Sequence, residues 1–247
     1  MKIEITKKVG ISSLEQWFNA APPKGEAMQW KPGRSALELA RFALSNRFPE
    51  FIEGILTEYG IKENTFVCEP EAETPFEKGM GTSGPRNHDL LMLGKKTVIG
   101  IEAKVSETFD KQIKDKRIGA SDNMMTRLDK CLDFIYEERP ANAEDLYYQL
   151  FSATVGTVIE AKKHNYKNAV ALFIVFVGDV DKEPRYAQHI KTNNDAFTAF
   201  CETFGLEEKG GRLPELPGAP GVNVGTVRKC CAFPNKLIAN VLEILYL

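Results

Sequence analysis

Residues 86–110 read RNHDLLMLGKKTVIGIEAKVSETFD and set three charged side chains, Asp89, Glu102 and Lys104, within an otherwise apolar stretch. The runs His88–Leu93 and Thr97–Val105 flank Gly94-Lys95-Lys96, a pattern that predicts two antiparallel strands joined by a tight turn. Alternation along the second strand puts Val98, Gly100, Glu102 and Lys104 on one face and Ile99, Ile101 and Ala103 on the other. Where Asp89 falls depends on the register. A two-residue loop pairs it with Gly100, diagonal to Glu102; a four-residue loop sets it opposite Glu102; a three-residue loop turns it to the far face. Two of these three registers bring the trio together.

Two carboxylates with a nearby backbone carbonyl form a hard oxygen site of the kind that takes magnesium or manganese, ions that keep waters and complete their shell with phosphate. A lysine beside them can stabilise developing negative charge or help to activate water. Gly100, unusual inside a strand, is expected to leave open space next to the carboxylates. The plain alternative is a solvated Glu102–Lys104 ion pair on an edge strand. The apolar run 97–105 argues against it, because a charge buried there without compensation costs on the order of several kcal/mol.

The elements that position these residues follow from periodicity. In SALELARFALSNRF, Ser35 is a plausible N-cap for a helix over 36–47, with Leu37, Ala40 and Leu44 on one stripe. A second short helix spans Glu50–Tyr59, and Thr65–Cys68 is a short strand. Helices are expected over 122–138, 143–163 and about 194–204, and the apolar run AVALFIVFV, Ala169–Val177, suits a central strand covered on both faces. Residues 1–33 read as loops, and the apolar tail Lys236–Leu247 has no assigned element. Helix, three strands, helices and strand in that order point to an α/β layer architecture around a mixed sheet.

Asp89, a short hairpin and Glu102-Ala103-Lys104 together resemble the motif of the PD-(D/E)xK phosphodiesterase superfamily, which has the restriction-endonuclease-like fold. His88 stands where that motif carries its proline. The segments WKPGRSALELA, IGIEAKVSETFD and YYQLFSATVGTVIEAKK also resemble an uncharacterised bacterial family assigned to the superfamily, and the resemblance covers about half of the chain. It implies an αβββαβ core over about 34–180. The length of the chain favours a single domain 1–247, with N- and C-terminal extensions around that core. The resemblance further implies that Asp89 and Glu102 bind Mg2+ or Mn2+, that the Ala103 carbonyl is another ligand and that Lys104 is the catalytic lysine. Glu38 sits where the superfamily often has an additional acid on its first helix, although Ser35-x-x-Glu38 reads equally as a capping box. Gln149 lies where some members direct a polar residue at the site, against the alternative of a glutamine on a helix surface. The function implied is metal-dependent hydrolysis of phosphodiester bonds in nucleic acid, DNA foremost, with a homodimer as one arrangement. The alternative is a catalytically inactive nucleic-acid or protein-binding module on the same fold.

Composition excludes little. The chain has 247 residues, 43% hydrophobic and 27% charged, with a formal net charge of -2, which suits a globular domain and rules out a disordered or collagen-like chain. That charge carries no argument for nucleic acid, although a local basic cleft is hidden in such a sum. The basic run Lys111–Arg117 reads as a solvated segment before a backbone contact. Five cysteines without zinc spacing, no leader-like N-terminus and no membrane-length apolar run lead to the expectation of a cytoplasmic protein with reduced thiols and no membrane partner. The three histidines, His88, His164 and His189, have no metal spacing, and His88 is expected to point away from the Asp89 face.

Overall fold

The computed structural model describes residues 1–81, 84–105, 107–177 and 184–232, so the tail Lys236–Leu247 lies outside the described residues. The chain forms an α/β structure. Its elements are β1 (Lys2–Lys7), β2 (Val9–Gly10), α1 (Leu14–Ala20), α2 (Ser35–Ala43), α3 (Phe48–Glu58), β3 (Thr65–Thr74), β4 (Arg86–Leu93) and β5 (Thr97–Lys104). Then follow α4 (Ile113–Arg117), α5 (Asp122–Ile135), α6 (Tyr148–Lys163), β6 (Asn168–Val177), α7 (Pro184–Glu202), β7 (Gly210–Arg212) and β8 (Asn223–Ala232). One mixed sheet carries eight strands in the order β2-β1-β3-β4-β5-β6-β8-β7. The β3–β4 and β4–β5 pairs are antiparallel, whereas β5–β6 and β6–β8 are parallel.

Two hydrophobic cores lie on opposite faces of this sheet. Side chains of α1, α2 and α3, such as Trp17, Leu39, Phe42 and Ile52, pack with Ile99, Ile101 and Ala103 on one face. Those of α5, α6 and α7, such as Leu128, Leu150, Phe151 and Phe197, pack with Leu91 and Val98 on the other. Covered on both sides, β5 is buried at all of its positions and β6 at all but its ends, which explains why both read as continuous apolar runs. The helix α6 is buried from Leu150 to Ala161. Its threonines are tolerated there because Thr154 and Thr157 each donate to a carbonyl one turn back, both at 2.8 Å.

The first 33 residues do not run as loops. β1 pairs in parallel with β3, and α1 is capped by Ser13, whose side chain accepts from the Gln16 amide. Only Ile5 of β1 is buried, so a strand held by ladder bonds one place in from the sheet's edge leaves little hydrophobic alternation to read. The C-terminal side likewise adds β8 beside β6, which places both extensions in the same sheet as the core. Other boundaries move by three residues or more. The helix expected over 143–163 begins at Tyr148 after a short 3-10 turn, the one over 122–138 ends at Ile135, and the one near 194–204 starts at Pro184. Among the described residues, no helix is long and apolar enough to cross a membrane.

Candidate functional site

The β4–β5 ladder runs from Leu93 opposite Val98 to Leu90 opposite Ile101, and the Gly94 amide donates to the Thr97 carbonyl at 2.8 Å to close the turn. This is the four-residue register, and its continuation sets Asp89 opposite Glu102. The ladder stops there because Asp89 takes it over with its side chain: Oδ2 accepts from the Ala103 amide at 2.7 Å. Lys104 Nζ lies 2.6 Å from Glu102 Oε1, and both side chains are buried. The hairpin therefore gathers Asp89, Glu102, Ala103 and Lys104 at the end of β5.

Two expectations about this face are corrected. His88 does not point away: its Nε2 lies 3.0 Å from Thr74 Oγ1, and a Cβ added at Gly100 would stand 3.0 Å from its Nδ1. Strand alternation breaks between His88 and Leu90, where Glu71 on the neighbouring β3 adopts a left-handed φ of 47°. Burial, joined by the Arg86 charge against the opposing pull of Glu102, pushes the His88 imidazole down to about 3, so it is neutral and packs as part of the interior. Gly100, in turn, does not open a space for ligand. An added Cβ would meet Thr157 Oγ1 at 2.0 Å, so the missing side chain lets α6 press directly onto β5.

That close approach brings α6 into the site. Gln149, in its first turn, donates from Nε2 to Glu102 Oε1, while Gln149 Oε1 is buried with no hydrogen-bond partner among the described residues. Arg86, at the start of β4, donates to Glu102 Oε2 and was not anticipated from the sequence. Its only prior signal was a basic residue three positions before Asp89. Glu71 forms a further acidic neighbour, held by Asn87 Nδ2. Glu107 was missed as well; it accepts from Ser35 Oγ at 2.6 Å and ties the first turn of α2 to the loop after β5.

Glu38 is placed otherwise than in a capping box. The helix begins one residue earlier than expected, with Arg34 as its N-cap, and Glu38 Oε1 accepts from the Gly33 amide and from Arg41, both at 2.9 Å. Glu38 is buried and its Oε2 has no partner among the described residues, but no hydrogen bond or ion pair among them joins it to Asp89, Glu102 or Lys104.

The two hairpin acids titrate apart. Burial, reinforced by the Glu102 charge and by Glu71, raises Asp89 to about 8 against the pull of Lys104 and the Ala103 amide. Burial also works against ionised Glu102, yet Lys104 and then Arg86 outweigh it and hold that carboxyl below its usual range. Lys104 is raised because Glu102 and Asp89 overcome its desolvation. A raised native pKa at Asp89 means that the folded chain keeps a proton which the unfolded chain has already released. Stability therefore falls as pH rises from the ordinary carboxylate range to about 8, and the loss is complete above that value. Urea midpoints measured from about pH 5 to about pH 9 will decline for wild type and decline less for Asp89→Asn. Parallel curves would remove Asp89 as the source.

The donor chemistry suits a hard divalent cation. It consists of two carboxylates on adjacent strands, one oxygen of Asp89 outside any hydrogen bond among the described residues, and the unpartnered amide oxygen of Gln149 beside Glu102. Among the described residues, no three His, Cys, Asp or Glu side chains converge as a ligand set, so a cation held here would take the rest of its shell from backbone oxygen or water. A family model described as Domain of unknown function (DUF6946) matches residues 10–230, and the chain belongs to that family. No curated protein and no solved structure matches the chain.

Proposed function

We propose that this member of a family of unknown function is a metal-dependent phosphodiesterase that hydrolyses nucleic acid, with its active centre at the end of the β4–β5 hairpin. The observation that carries the reading is the convergence of the partly buried Asp89 with the buried Glu102 and Lys104, a setting where charges are costly unless they serve one another or a ligand. The order α2, β3, β4, β5, α6, β6, which the PD-(D/E)xK resemblance implies for its core, supports it, with α3, α4 and α5 as insertions.

In this reading Asp89, Glu102 and the Ala103 carbonyl would hold Mg2+ or Mn2+, which supplies neutralisation of phosphate charge and a bound water of lowered pKa. Lys104, positioned on Glu102 Oε1, donates to the phosphate oxygens as their charge grows. Gln149 holds the same Glu102 oxygen from the helix side and fixes the orientation of the carboxylate. Glu38, one turn into α2, is an outlying acid with one oxygen unpartnered among the described residues and belongs to the reading only as a second-line group.

The test is direct. Purified protein is incubated with duplex DNA, single-stranded DNA and RNA in Mg2+ or Mn2+, with a chelator control, and manganese is titrated by calorimetry into wild type and Asp89→Ala, both checked for fold by circular dichroism. Cleavage that the chelator stops, with metal binding lost in Asp89→Ala, is the expected result. A second reading has its own observation: both Glu102 oxygens are already engaged by Arg86, Lys104 and Gln149. A catalytically silent binding module explains that arrangement, and salt-sensitive nucleic-acid affinity without turnover or metal dependence would favour it.

A further inference from the structure

Neither oxygen of Glu102 is vacant. Lys104 and Gln149 share Oε1, and Arg86 holds Oε2. Lys104 is two residues along the same strand, and Gln149 is anchored in a buried helix. Arg86 is different. It sits at the first residue of β4, beyond the end of the β4–β5 ladder, and reaches Glu102 on a long side chain. Its Nε is buried with no partner among the described residues, so this pose leaves that buried donor unused. The slot it occupies is made by Gly156 of α6, where an added Cβ would stand 2.8 Å from Arg86 Cγ. Arg86 also has two carboxyl groups within its influence, Glu102 and then Asp89.

We propose that Arg86 is the resident cation of the site: its guanidinium holds Glu102 Oε2 while no metal is bound, and a divalent cation binds only as Arg86 leaves that oxygen. The inference rests on the metal-binding reading above. The physical reason is competition for one carboxylate: a guanidinium and a divalent ion on the same oxygen repel, and a buried setting screens that repulsion poorly. The role is one of positioning, because Arg86 acts through Glu102.

Calorimetric titration of Mn2+ into wild type, Arg86→Met and Arg86→Lys tests it, with circular dichroism as the check on folding. Arg86→Met, which keeps the bulk and removes the charge, will bind Mn2+ at least about tenfold tighter than wild type, a difference of about 1.4 kcal/mol. Arg86→Lys will stay close to wild type. Wild-type binding with Arg86→Met unchanged or weaker overturns the gate and leaves the metal-binding reading standing; no binding by any of the three proteins overturns both. A measurement on wild type covers the case in which Arg86→Met does not fold. The Nε–H resonance of Arg86, identified by its absence from Arg86→Lys, will shift on saturation with Mg2+, and a resonance that stays in place under saturation also overturns the proposal.

Discussion

Lys104→Met will lower the rate of metal-dependent phosphodiester cleavage by about 100- to 1,000-fold, the loss typical when one preorganised donor to developing charge is removed. The substitution suits the question because Glu102 keeps two other partners, Arg86 and Gln149, and so is not stranded as an unpaired buried anion. Substituting Glu102 itself would be harder to interpret. It leaves Arg86 and Lys104 together without their anion, and breaking a buried pair in that way costs about 3–5 kcal/mol. Single-turnover cleavage at saturating metal, with a urea midpoint on the same preparation, separates chemistry from stability. Cleavage by Lys104→Met within about threefold of wild type would reduce the lysine to a structural counter-ion.

Gly100→Ala will destabilise the fold by about 1–3 kcal/mol or more, the range for overpacking a close-packed interior. The new methyl would stand 2.0 Å from Thr157 Oγ1 and 3.0 Å from His88 Nδ1, and neither neighbour has free space to yield. Combining it with Thr157→Ala removes the nearest clash and leaves the Thr157 Cβ contact at 3.1 Å. The double variant will therefore be more stable than the sum of the singles by about 1 kcal/mol, measured as a coupling in a double-mutant cycle. Strict additivity would mean that α6 slides away from β5 without cost. The result bears on the site because the same approach of α6 to β5 brings Gln149 onto Glu102.

The trio was legible because each of its signals is local. A period of two sets Glu102 and Lys104 on one face, a short turn returns the chain past Asp89, and an apolar strand around them marks burial. The register itself is open among three loop lengths, one of which would turn Asp89 to the far face, and hydrogen bonding across Gly94 and Thr97 decides it. The reading failed where the signal was not local. Alternation assigns His88 to the far face, and it breaks where Asp89 passes Glu71, a contact between strands that no period records. Gly100 suggests open space by its residue type alone, and a helix distant in sequence fills that space. The capping box at Ser35 failed by a single residue of helix start, because Gly33 and Arg41 compete for the Glu38 carboxylate.

The chain's sequence by itself determined the α/β class, the buried character of β5 and β6 and the placing of Glu102 and Lys104 on one face of a hairpin whose other strand carries Asp89. These follow from hydrophobic periodicity and turn chemistry, which act over a few residues. The tertiary structure alone decided that Arg86 and Gln149 close on Glu102, that His88 turns inward as a neutral ring and that Gly100 admits a helix instead of a ligand. The physical reason is distance along the chain. Arg86 lies 16 residues from Glu102 and Gln149 lies 47, so their convergence depends on how sheet and helix pack, and packing minimises clashes and unpaired buried charge across the whole molecule at once.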